Sequence, residues 1–222
     1  MKTSLLLRTA LFRGITEDEA ASMLDCLGAF EKQYEKGGAI FRAGETTQNI
    51  GLVLSGSVNI ESGDVWGNRS ILGRAEVGQI FAETYACIPG EPLLVSAAAA
   101  ERCEILFLNA SRLLTTCSSS CPCHSRLIRN LLQLTAQKNL ALSRRILHTS
   151  SKTIRGRLLS YLSEQAQVNG GLRFSIPFNR QQLADYLNVD RSAMSAELSK
   201  MRAEGLIACD KNSFVLLQPL AE

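Results

Sequence analysis

Three thiols and an imidazole fall within eight residues, Cys117-x3-Cys121-x-Cys123-His124. Thiolates and imidazole at such short spacing could close around zinc or hold an iron–sulfur cluster. Oxidation could instead join Cys117 to Cys121 or Cys123 in a disulfide. The spacing matches no standard zinc signature, so unremarkable loop cysteines are the competing reading. Cys26, Cys87, Cys103 and Cys209 lie in apolar or strand-like surroundings and are expected in the core. His148 is expected to close a helix and favour its dipole. The sequence holds no Ser/His/Asp set, metal-hydrolase motif or phosphate-binding glycine loop, and Glu83 has no evident catalytic partner. The chain is therefore not expected to be an enzyme.

A second group of side chains suits recognition. The stretch 178–207 reads as two short helices around a tight turn. Leu183, Ala184 and Leu187 form the inward face of the first, and Met194, Leu198 and Met201 that of the second. Asn188 occupies the turn, where a left-handed conformation is needed, and Asp190 caps the second helix. Arg191, Ser192, Ser195 and Ser199 then remain on the outward face. A helix presenting an arginine and hydroxyls is what a DNA major groove accepts, and Arg191 is expected to make a base contact. Residues 206–217 read as a β-hairpin, which would make the module winged.

The elements that must position these groups follow from patterning. The 222-residue chain is 45% apolar, too apolar for a disordered polymer. No apolar run is long enough to cross a bilayer, the N-terminus lacks a secretory pattern and the cysteine count is odd, so a soluble, cytoplasmic protein without membrane partners is expected. Residues 1–104 carry 9 Lys+Arg against 14 Asp+Glu, whereas residues 105–222 carry 15 against 7. Residues 105–163 hold nine basic residues and no acidic one, a one-sign stretch that points to a polyanion nearby or to a solvated face.

Residues 1–34 look helical, with Thr16 capping ahead of Glu19. From Tyr34 to Leu108, short apolar runs separated by glycine turns, 93–95 among them, indicate a small β-roll. Ser125 to Leu147 is a long leucine-rich helix. Leu127, Leu131 and Leu134 can cover the roll, while Ile128, Leu132, Leu142 and Ile146, interrupted by Thr135 and Asn139, can pair with a second copy. Thr149-Ser150-Ser151 is a hinge, with Ser150 or Ser151 capping the next helix.

This order of elements resembles the Crp/Fnr family of bacterial transcription regulators over essentially the whole chain. The resemblance is carried by Ile40-Phe41-Arg42-Ala43-Gly44-Glu45, Val53-Leu54-Ser55-Gly56-Ser57-Val58, Gly78-Gln79-Ile80-Phe81-Ala82-Glu83 and the stretch from Arg180 to Leu206. It implies an α+β chain: a jelly-roll-like, double-stranded β-helix sensor domain over 1–124, a dimerisation helix over 125–148 and a winged helix-turn-helix over 149–222. It also implies a homodimer on promoter DNA, RNA polymerase as a partner if the chain activates, and a small effector. Asn179, Arg180 and Gln181 would contact phosphates, joined by Lys211 in the wing. Asp190, Arg191, Ser192, Ser195 and Ser199 complete the DNA-binding set. The glutamate and arginine of the familiar recognition helix are replaced here by Ser192 and Ala196, so a different half-site is expected.

The cyclic-nucleotide motif is incomplete. The family's Phe-Gly-Glu turn is Phe81-Ala82-Glu83, and its Arg-Ser phosphate pair falls on Glu91-Pro92, a carboxylate and an imino acid without an amide donor. Cyclic AMP is expected not to bind. Phe81, Ala82, Glu83 and Leu94 are the candidate effector pocket. A redox, metal or iron–sulfur sensor at Cys117, Cys121, Cys123 and His124 stands as the alternative, beside a cyclic-nucleotide-responsive module.

Overall fold

A computed structural model of the chain describes residues 3–63, 69–115 and 122–217. It forms two compact units, Met1–Gln137 and Lys138–Glu222.

The first unit begins with helices α1 (Thr3–Leu6) and α2 (Glu17–Cys26). Thr16 starts α2 with a capping box, accepting from the Glu19 amide while Glu19 accepts from the Thr16 amide. Two four-stranded antiparallel sheets follow, in orders β1-β8-β3-β6 and β2-β7-β4-β5. The strands are β1 (Phe30–Tyr34), β2 (Ala39–Phe41), β3 (Asn49–Ser55), β4 (Val58–Gly63), β5 (Arg69–Ala75), β6 (Ile80–Phe81), β7 (Ser96–Ala99) and β8 (Cys103–Asn109). Short helices α3 (Glu83–Ala86) and α4 (Ala110–Leu114) complete the roll.

Two expectations change here. Residues 30–34 are a strand, because pairing with Cys103–Phe107 outweighs the helical pattern upstream. Leu93-Leu94-Val95 precedes its strand, which is the alanine run Ser96–Ala99. Alanine is a poor strand former, but β7 is paired by β2 on one side and β4 on the other.

The long helix α5 (Pro122–Thr149) has 28 residues, about 42 Å at about 1.5 Å per residue. Leu127 and Leu131 are buried in the core of the first unit, with Leu134 packed at its edge. Ile128 packs there too rather than joining a free seam. Leu132, Leu142 and Ile146 stay exposed at 67%, 62% and 68%. Asn130 ties the N-terminal segment down, donating to the Leu11 and Arg13 carbonyls at 2.8 and 2.9 Å.

The second unit continues with α6 (Ile154–Val168), β9 (Arg173–Ser175), α7 (Arg180–Leu187), α8 (Arg191–Ala203), β10 (Ile207–Asp210) and β11 (Ser213–Leu216). Its sheet has the order β10-β11-β9. Thr153, not Ser150 or Ser151, caps α6, accepting from the Gly156 amide at 3.0 Å. Leu158, Leu162, Leu183, Leu187, Met194, Leu198, Met201 and Phe214 share one core. Among the described residues no helix is long and apolar enough to cross a membrane.

Candidate nucleic-acid interface

The expected helix–turn–helix is present, with its turn built as the residue types require. Asn188 closes α7 at φ 53°, in the left-handed region. Asp190 opens α8, its carboxylate accepting from the Ala193 amide at 2.8 Å and from the Ser192 hydroxyl. Those bonds, the Ser192 hydroxyl first, hold the Asp190 carboxyl below the ordinary aspartate value. Asn179 caps α7 reciprocally with Gln182, each contact at 2.9 Å. Asp190 and the Asn179 carbonyl oxygen are thus occupied by helix starts.

A cleft of about 670 Å³ opens between the start of α7, the start of α8 and the β10–β11 turn. Asn179, Arg180, Gln181, Arg191 and Lys211 line it. Arg180 is propped over the Phe214 ring at 5.1 Å, and one guanidinium nitrogen lies 3.6 Å from the Cys209 sulfur. Gln181 donates to Asp185 at 2.8 Å. Lys211 takes a left-handed conformation, φ 48°, at the tip of the wing. The cleft therefore gathers three cations with nearby polar side chains, and Arg191 faces it instead of standing alone.

Distant arginines hold the two helices in place. Arg155 on α6 reaches Glu197 at 2.6 Å and both oxygens of Glu204 at 2.8 Å. These bonds raise the Arg155 pKa and lower that of Glu204. At the C-terminus of α7, Arg145 donates to the Asp185 and Tyr186 carbonyls at 3.0 and 3.1 Å. Arg157 donates to those of Leu187, Asn188 and Ser151 at 3.0, 2.8 and 2.9 Å. Guanidinium groups there satisfy orphan carbonyls and oppose the negative end of the helix dipole.

The one-sign basic stretch is therefore largely spent within the protein. Arg126, Arg144, Arg145, Arg155 and Arg157 all take protein partners, nearly all of them acids and carbonyls outside that stretch. His148 lies in the last turn of α5, as expected, and is packed inside the second unit as well. It is buried, with Nδ1 2.9 Å from the Tyr186 hydroxyl and its ring edge-on to Tyr161. Nε2 lies 2.9 Å from Glu164, outside hydrogen-bond geometry.

In the roll, Phe81 and Glu83 are buried, while Leu94 is 75% exposed and donates its amide to the Tyr85 hydroxyl at 3.4 Å. The Phe81 ring lies on Gly51, where an added Cβ would come within 2.3 Å of it. Phe81 meets Phe41 edge-on at 6.0 Å, and Phe41 meets Phe107 at 5.8 Å. Ala82 adopts φ 61°, a conformation that glycine takes without strain. Glu91 and Pro92 are exposed. A polar cleft of about 390 Å³, lined partly by Arg42, Glu61 and Ser96, lies on β2, β4 and β7. The motif reading did not find it.

Cys117 and Cys121 lie outside the described residues. Cys123 sits in the first turn of α5, and the Glu19 pKa is lowered first by the Thr16 amide, then by a hydrogen bond from the Cys123 thiol and by Arg126. Arg126 pairs with both Glu19 oxygens, at 3.1 and 3.2 Å. His124 is buried. Cys103 is buried as expected, Cys87 and Cys209 are half-buried, and Cys26 is exposed. Among the described residues no group of three or more Cys, His, Asp or Glu could hold a metal ion.

Comparison with known families decides the kinship. A cyclic nucleotide-binding domain model matches residues 31–120, and a Crp-like helix-turn-helix model matches residues 156–221. The chain belongs to the Crp/Fnr family. No curated protein is matched by sequence. Similar solved structures include the catabolite activator protein of Thermus thermophilus, at 21% identity and TM-score 0.51, covering 94% of this chain and 93% of that one. The c-di-GMP-responsive regulator CLP of Xanthomonas campestris follows at 20% and 0.53, covering 90% and 99%. CprK in complex with OCPA gives 15% and 0.61, covering 89% of each chain. As a Crp/Fnr member the chain is a DNA-binding transcription regulator with a cyclic-nucleotide-binding-like sensor domain.

Proposed function

We propose that this regulator binds promoter DNA as a homodimer paired along α5, and that its effector is not cyclic AMP. The observation that carries the DNA part is the convergence of Arg180, Arg191 and Lys211 on one cleft beside the outward face of α8. Such a cleft suits a phosphate of the DNA backbone, which fixes register without reading sequence. This moves Arg191 from base reader to backbone contact. The exposed Leu132, Leu142 and Ile146 offer the pairing face on α5. Against cyclic AMP stand Glu91-Pro92 at the phosphate position and the aromatic packing around Phe81.

The test is fluorescence anisotropy with DNA from upstream of the protein's own gene, over a range of salt. Arg191→Ala and Lys211→Ala should each weaken binding to all duplexes alike and flatten the salt dependence by about one counterion. An unchanged salt slope in both variants would dismiss the cleft as a phosphate seat.

A second reading places the sensor at the cysteine loop, and the Cys123–Glu19 contact favours it. Drawing that thiol into a disulfide or onto a metal would release Glu19, which also caps α2 and holds Arg126 at the start of α5.

A further inference from the structure

The outward surface of α8 is unusual in what it lacks. Ser192, Ala196, Ser199 and Ala203 are exposed, opposite the buried Met194, Leu198 and Met201, and Ser195 is half-buried beside them. No long donor side chain occupies this surface near the N-terminal turns, the part of such a helix that reaches base edges. Glu197 is turned away and bound by Arg155 at 2.6 Å. Arg191 lines the cationic cleft.

The three serines share a second property. Ser195 donates its hydroxyl proton to the Arg191 carbonyl at 2.9 Å, and Ser199 to the Ser195 carbonyl at 3.0 Å. Ser192 donates to the Asp190 carboxylate. A serine has one proton and two lone pairs, so with each proton spent inward the hydroxyls offer the groove only acceptors. Its N-terminal turns thus present acceptors interleaved with methyl groups, the long donors Lys200 and Arg202 coming only in the last turn.

In the major groove, an A·T pair presents the adenine N6 amino donor and, beyond the thymine O4, the thymine methyl. Guanine presents two acceptors, N7 and O6; its paired cytosine offers an N4 amino donor but no methyl, so hydroxyl acceptors turn away guanine and the thymine methyl separates A·T from C·G. Acceptor facing acceptor is unfavourable. Building on the DNA-binding reading above, we propose that Ser192, Ser195, Ala196 and Ser199 read A·T pairs. The serine oxygens take the adenine amino groups, Ala196 covers a thymine methyl, and guanine opposite the serines is rejected.

The experiment selects binding sites from randomised duplexes with the full-length chain, then measures the winners by anisotropy at fixed salt. The selected half-sites should carry A·T pairs beneath Ser192–Ser199. Replacing their thymines by deoxyuridine should weaken binding about fourfold per contacted methyl, the size expected for one buried methyl. Ala196→Arg restores a forked donor on an exposed position and should move one selected pair from A·T to G·C, by about tenfold or more. Selection of G·C beneath the serines by the parent chain, or indifference to deoxyuridine, overturns the inference while leaving DNA binding intact. Binding without any sequence selection overturns it as well. Failure to bind every duplex would overturn the DNA-binding reading itself.

Discussion

Arg157→Ala removes the side chain that closes the C-terminus of α7. Three carbonyls, those of Ser151, Leu187 and Asn188, lose a charged donor at 2.8–3.0 Å. Arg157 is only half-buried, and water can replace part of what is lost, so about 1 kcal/mol per bond is the appropriate figure. Loss of a cation at the negative end of the helix adds about 0.5 kcal/mol. The total is about 3.5 kcal/mol, or about three-hundredfold in the local opening of the turn, since about 1.4 kcal/mol is tenfold. Arg157→Lys keeps the charge and one bond, and should lose about half as much. Amide hydrogen exchange is the suitable assay, because it resolves α7 from the rest of a chain with two units. Protection over residues 183–189 should fall in the order parent, Lys, Ala. Unchanged exchange there in Arg157→Ala would refute the argument that this guanidinium holds the turn.

Leu142→Asp should give monomers in sedimentation, since a charge in the pairing seam would lie desolvated against its own copy; an undisturbed dimer would move the interface elsewhere. Calorimetry with cyclic AMP at tens of micromolar should show no binding heat, and a saturable isotherm would reject the steric and charge argument made from Phe81 and Glu91-Pro92. The lowered pKa of Asp190 means its cap stabilises α8 above the ordinary value of 3.8 and is lost as pH falls through the lower folded value. Exchange at the start of α8 should therefore rise below that value in the parent and stay flat in Asp190→Asn, which caps in neutral form. Cys117, Cys121 and Cys123 changed together to serine should abolish any difference in DNA affinity between reduced, oxidised and metal-loaded protein; parent and variant responding identically would leave the loop without a sensing role.

The helix–turn–helix was legible because its signals are local. Leu183, Ala184 and Leu187 recur at helical spacing, Asn188 takes the left-handed turn and Asp190 the cap, and all of these are found in place. The capping box at Thr16 and Glu19 was readable for the same reason. What escaped depends on partners far away in the chain. Arg155, Arg157 and Arg145 read as a solvated or DNA-facing stretch, because, Ser151 apart, their glutamates and carbonyls lie 30 to 49 residues further on. The alanine strand Ser96–Ala99 escaped because its conformation is imposed by neighbours on both sides. His148 is at the helix terminus where it was expected, but nothing nearby in sequence foretold Tyr161 and Tyr186 around it.

The Arg155 bridge has a mechanical consequence. Glu197 and Glu204, the residue that caps the C-terminus of α8, are seven residues apart, about two turns or about 10.5 Å along the axis. One anchor would leave the helix a swivel; two in line fix its azimuth as well as its position. On the DNA-binding reading proposed above, α8 would meet DNA already aimed, its rotational freedom given up during folding and not again at each encounter. A pivot of this kind trades adaptability for discrimination: a mismatched duplex cannot be accommodated by rolling the helix a few degrees, and must instead be distorted or released.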